Sequence, residues 1–291
     1  MKESFLQGIK IFFKSISQIV LIEHVWTGVF IFLSLWINAW EWAFSLSLAV
    51  LAGNLIAILL RFPKHNISKG LYGFSPGLVG IAVFALFGFS WMNCLYIIIG
   101  SAFAAIMQHL FIIRNIPGFT FPFISIIWIL SYLFLPEQEI NLESLIETPF
   151  TYKNLWDLGI KGIAQIFFQS KILSGILFLI GIFIASRKIA LYVLFSSLFA
   201  GILALLLKQS TSDIYMGIYG FNAALSAIVF SQVKKHAALW SFLAVLITVF
   251  VQFTFIHLDT FQNLGGYFTF PFVLGTWISL LIKRIVEKLV I

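Results

Sequence analysis

The sequence predicts an all-α integral membrane protein of ten transmembrane helices plus two re-entrant or tilted helices, arranged as two inverted homologous repeats. Three observations predict it. First, 61% of the residues are hydrophobic and only 10% are charged, whereas a soluble domain needs about 25% charged residues to cover its surface. Second, ten apolar segments span, or nearly span, the ~20 residues that a helix needs to cross a bilayer. Third, the chain repeats itself. Phe119-Thr120-Phe121-Pro122-Phe123 returns letter for letter as Phe268-Thr269-Phe270-Pro271-Phe272, 149 positions later. Gly70-Leu71-Tyr72-Gly73-Phe74 returns as Gly217-Ile218-Tyr219-Gly220-Phe221, 147 positions later, and Gln18-Ile19 with Gly28 returns as Gln165-Ile166 with Gly175 at the same offset. A repeat this long defines the architecture before any single element does.

The ten apolar segments lie near 25–40, 43–60, 74–91, 94–113, 119–135, 172–186, 189–207, 217–233, 237–256 and 268–282. The stretches near 8–22 and 158–170 mix polar and apolar residues around Gln18 and Gln165, so they read as re-entrant or tilted helices. Residues 1–136 form the first repeat, 137–157 an acidic extracellular linker, and 158–291 the second repeat. With the N-terminus in the cytoplasm, 14 of the 18 basic residues fall inside, among them Arg61, Lys64, Arg187, Lys188, Lys234 and Lys235. Basic residues in short loops favour the cytoplasmic side, so both termini are expected inside the cell, at an inner (plasma) membrane. Five crossings is an odd number, so the second copy runs opposite to the first. That design places a solute site near the midplane, between the halves.

Several function classes lose support. Cys94 is the single cysteine, which rules out an intrachain disulfide and a cysteine metal cage. The histidines are scattered without metal-ligand spacing, and no nucleophile–base pair appears, so no enzyme, metal or cofactor is expected. The net charge of +7 lies between apolar segments rather than in a basic stripe, so no nucleic-acid partner is expected; the expected surroundings are a lipid bilayer. No Asp, Glu, Lys or Arg lies inside the ten spans, which argues against a proton relay.

The repeated phrases hold the candidate residues. Pro122 and Pro271 fit the first turn of a helix, with Thr120 and Thr269 near the N-cap. Such a start would point a positive field into a pore; a capped helix in lipid contact is the plainer alternative. The glycine phrase permits close backbone approach. After it, Phe74 and Leu78, and Phe221 and Leu225, share a helix face at i and i+4. These pairs are either an aromatic slot or small-residue helix packing. Gln18 and Gln165 each offer amide donors and a carbonyl acceptor, suited to a small polar solute or to a helix–helix bond. Glu23 stands beside His24, which points to an ion pair between them or an interfacial site. His109 and His257 fall near segment ends, at the interface.

On Gln165-Ile166-Phe167-Phe168 with Gly175, the two glycine phrases with Asn222, and the two Thr-Phe-Pro-Phe stretches, the chain resembles the urea transporter family over nearly its whole length. The resemblance implies a homotrimer in which each protomer holds its own pore and urea slides between stacked phenylalanines. It implies slot roles for Phe74, Phe168 and Phe221 with Leu78 and Leu225, outer solute sites at Gln18 and Gln165, and a central constriction at Thr120 and Thr269. The chain departs from the family pattern in places. Leu21 stands where the first half would carry the counterpart of Phe168. Ser75-Pro76 replaces Asn-Gly, Glu23-His24 and Ser170-Lys171 replace paired asparagines, and Gln165 stands where some members carry glutamate. The expected activity is passive urea permeation; a channel for other short amides and an ion-coupled secondary transporter are the alternatives.

Overall fold

A computed structural model describes residues 2–134, 155–258 and 261–289. The acidic linker expected over 137–157 lies almost wholly outside the described residues, as does Asp259. Among the described residues every regular element is helical.

The first compact unit holds α1 (Lys2–Ser17), a 3-10 turn (Gln18–Val20), α2 (Val25–Asn38), α3 (Trp40–Leu59), α4 (Lys64–Ser68), α5 (Phe74–Phe87), α6 (Trp91–Ile113) and α7 (Phe121–Phe134). The second holds α8 (Leu155–Gln165), most of α9 (Ile172–Ala185), α10 (Arg187–Leu206), α11 (Thr211–Met216), α12 (Gly220–Ser231), α13 (Ala237–Leu258) and α14 (Phe270–Leu289); residues 180–185 and 263–266 group with the first. Helices α2–α6 and α9–α13 run in the same order of long and short.

The apolar runs in the sequence exceed the helices built from them. Among the described residues four helices, α3, α6, α10 and α13, have the length and composition to cross a bilayer, and α1 with its turn and α2 make a fifth candidate bent by 81°. Five of the ten segments expected to cross are built as shorter helices. Helices α2, α5, α7 and α9 have 14 residues each and α12 has 12. At 1.5 Å per residue these reach ~18–21 Å against a ~30 Å hydrocarbon core. The reason is that apolar residues are spent on turns. Phe119-Thr120 precedes α7 as a turn, Ile218-Tyr219 precedes α12, and α5 ends where Gly88 takes φ 72°. Helix α14 is 20 residues long but carries Lys283, Arg284, Glu287 and Lys288 in its second half.

One buried cluster recurs in both units. Ala57, Ile67 and Tyr72 form one buried cluster, joined by Ile11. Their counterparts 147 positions on, Ala204, Ile214, Tyr219 and Leu158, form another. Close helix crossings recur as well. A Cβ on Gly28 would sit 1.9 Å from the Phe13 carbonyl oxygen, and one on Gly175 2.1 Å from that of Ile160. The long helices have between 33% and 44% of their apolar windows buried, so most of that surface faces outward. Apolar surface this extensive is stable only against lipid or protein.

Candidate solute-binding residues

Each unit ties its glutamine to its glycine phrase. Helix α1 ends at Ser17, and Gln18 opens the 3-10 turn, where its Nε2 donates to the Lys69 carbonyl at 3.1 Å. Gln165 closes α8, and its Nε2 donates to the Met216 carbonyl at 2.9 Å. Both partners are the residue just before the first glycine. That glycine is required: Gly70 and Gly217 have φ 78° and 86°, and a Cβ would lie 2.4 Å from Ser15 N or 2.5 Å from Lys161 C. A carbonyl can only accept, so the nitrogen of each amide is fixed toward it and the oxygen turns away. Among the described residues neither Gln Oε1 has a hydrogen-bond partner. Each glutamine thus makes the helix-bridging bond considered as its plain role and still offers an acceptor to an N–H donor.

Bulky residues in left-handed backbone follow. Leu21 and Phe168 have φ 56° and 57°, and Phe119 and Phe268 have φ 47° and 46°. Left-handed backbone costs a non-glycine residue about 1–2 kcal/mol, and such strain gathers at functional sites. In the second unit it brings two rings together, Phe168 and Phe268, with centroids 6.1 Å apart and planes tilted 51°. Leu21 gives the first unit no ring at the matching place.

Thr120 and Thr269 stand directly before α7 and α14, and both are buried. Their carbonyls accept the amides of Ile124 and Val273 at 3.1 Å, so the phrase does open a helix, with Pro122 and Pro271 at its second residue. Phe74 and Leu78 lie one turn apart on α5, and Phe221 and Leu225 one turn apart on α12. Phe74 and Phe221 are only 4% and 9% exposed, so both rings are packed nearly all round.

Sequence reasoning missed two things. Glu23 pairs with Lys14 at 2.6 Å, not with His24. His24 instead caps α2, where Thr27 N donates to its Nδ1 at 3.3 Å. The turn between α1 and α2 carries Glu23 back along α1, and no sequence pattern shows that. The second is Lys161, the counterpart of Lys14. It is 5% exposed, with Nζ 3.3 Å above the Tyr215 ring centre. Both lysines lie four residues before their glutamine, a spacing visible in the sequence. His109 lies within α6, stacked on Phe62 at 3.8 Å with Nδ1 3.0 Å from Tyr72 Oη; His257 is exposed near the end of α13.

Described residues that are helical in every regular element, with long outward apolar helices and a few anchored polar groups, define a polytopic membrane protein. More narrowly, the chain belongs to the urea transporter family: residues 9–284 match the family described as Urea transporter. It is 27% identical over 299 residues to Urea transporter 1 of Rattus norvegicus, covering 92% of this chain and 75% of that one. It is 26% identical over 310 residues to Urea transporter 1 of Ovis aries, covering 97% and 78% respectively.

Proposed function

We propose that this protein carries urea across a membrane by passive, channel-like permeation, each unit supplying its share of the path. The observation that carries this is the glutamine clamp made twice: an amide anchored by its nitrogen, leaving its carbonyl open beside a left-handed apolar residue. Urea has four N–H bonds in one plane and two apolar faces. Anchored carbonyls accept from its edge, while Phe168, Phe268 and Phe221 in the second unit and Phe74 in the first cover its faces. Thr120 and Thr269 flank the narrowest part. The matched backbone angles and clusters, at offsets of 147 and 149 residues, support a two-fold repeat, and five crossings per unit, as hydropathy reads them, make that repeat inverted, with both termini cytoplasmic at a plasma membrane. A homotrimer in which each protomer keeps its own path completes the proposal.

The test is urea flux into proteoliposomes holding the purified protein. Saturation only at high urea, with no need for a sodium or proton gradient, is the expected result. A strict gradient requirement would replace the channel with an ion-coupled carrier. Acetamide flux without urea flux would reassign the solute.

A further inference from the structure

Asn222 is fully buried near the start of α12, and its amide is used at both ends. Its Oδ1 accepts from Phe272 N at 3.2 Å. Its Nδ2 donates to the Phe268 carbonyl at 3.3 Å and lies 3.4 Å from Gln252 Oε1. Gln252, buried on α13, donates in turn from Nε2 to the Ile218 carbonyl at 2.9 Å and to Tyr267 Oη at 3.2 Å. The two bonds of Asn222 bracket the Phe-Thr-Phe-Pro-Phe phrase, at the carbonyl of its first residue and the amide of its last. Phe272 is the third residue of α14, so its N–H is one that the helix itself leaves free. Asn222 therefore caps a helix other than its own, and the same amide grips the strained Phe268. Tyr267, just before that phrase, is tied to the same network through Gln252.

The first unit lacks this device at the matching position. Residue 75, which is 147 before Asn222, is serine; it is fully buried and its hydroxyl makes no hydrogen bond. Serine is too short to bridge both ends of the phrase. We infer that Asn222 is a positioning residue, fixing Phe268 and Thr269 and through them the solute size that the second unit admits, a role that Ser75 does not fill in the first. This rests on the urea-permeation reading.

The test compares urea and N-methylurea flux in proteoliposomes, with thermal stability in detergent, for Asn222→Asp, Asn222→Ser and Ser75→Ala. Asn222→Asp keeps shape and the acceptor for Phe272 N but sets an oxygen against the Phe268 carbonyl. Asn222→Ser installs the residue of the first unit. Both are expected to keep urea flux and to raise the N-methylurea to urea ratio roughly threefold or more, a modest part of what one methylene discriminates in a fitted pocket. Ser75→Ala should leave the ratio unchanged. A ratio unmoved in both Asn222 variants, with lowered stability, makes Asn222 a core group only and overturns the inference. A rise in Ser75→Ala equal to that in Asn222→Asp overturns the asymmetry. If neither Asn222 variant folds, Tyr267→Phe removes only the outermost hydroxyl, and an unmoved ratio there overturns the inference as well. Absence of urea flux in the unsubstituted protein would instead sink the permeation reading, a separate outcome.

Discussion

A glutamine amide anchored through its nitrogen to a backbone carbonyl has one orientation left, and this decides what Gln18 and Gln165 can do. Gln165→Leu removes the open acceptor. A urea N–H that loses water there then goes unpaired, and a hydrogen bond of this kind is worth about 0.5–1.5 kcal/mol net. Urea flux should fall roughly two- to tenfold by that figure, and flux equal to that of the unsubstituted protein would remove Gln165 from the path. Phe221 is packed nearly all round, so Phe221→Ala should act twice. It should cost about 3–5 kcal/mol of stability and raise the N-methylurea to urea ratio, while Leu21→Phe, which adds the missing ring, should lower it. Stability loss with an unchanged ratio in both would assign these side chains to the core. The glutamines and phenylalanines were legible in the sequence because they recur in matched phrases. The Lys14–Glu23 pair and the Asn222 bridge were not. Their partners meet only after a turn folds back, or after a third helix packs, and residue spacing carries neither fact.

At the scale of elements, the repeated glycines do more than interrupt helices. Gly217 lets the turn before α12 lie on the α8 backbone, and Met216, one residue back, holds Gln165 through its carbonyl. Gly217→Ala must strain the positive φ and push two backbones apart, each a cost of about 1–3 kcal/mol. A fall in melting temperature in detergent, together with lost urea flux, is expected; an unchanged melting temperature would mean that the close approach is not made. The same turns explain why the apolar segments run longer than the helices built from them. A window of apolar residues measures what lipid or protein will cover, not what is helical. Phe119, Ile218 and Tyr219 are as apolar as their helical neighbours, yet they form turns. Irregular backbone at membrane depth survives only where protein or a polar cavity satisfies it, and the bonds from Gln18, Gln165 and Gln252 to backbone carbonyls are that satisfaction.

At the scale of the whole molecule, the inverted repeat proposed above makes two predictions. His65 on α4 and Ser212 on α11 are matched positions, 147 apart. In a Cys94→Ser background, His65→Cys and Ser212→Cys should react with a membrane-impermeant maleimide from opposite faces of the membrane; labelling of both from one face would break the inversion. The second prediction concerns cations. In the proposed path two effects would oppose ammonium: the positive helix starts of α7 and α14 together with Lys161, and the loss of hydration in an apolar passage. A helix terminus contributes up to ~2 kcal/mol. Stripping water from an unpaired ion costs several kcal/mol even after relaxation, so dehydration dominates. Ammonium should therefore be excluded from the unsubstituted protein and also from Lys161→Met, which removes the charge and keeps most of the volume. Reversal-potential recordings in ammonium gradients read this directly. Ammonium current in the unsubstituted protein would refute an apolar passage that strips ions of water. Current appearing only in Lys161→Met would show that the fixed charge, rather than dehydration, keeps cations out.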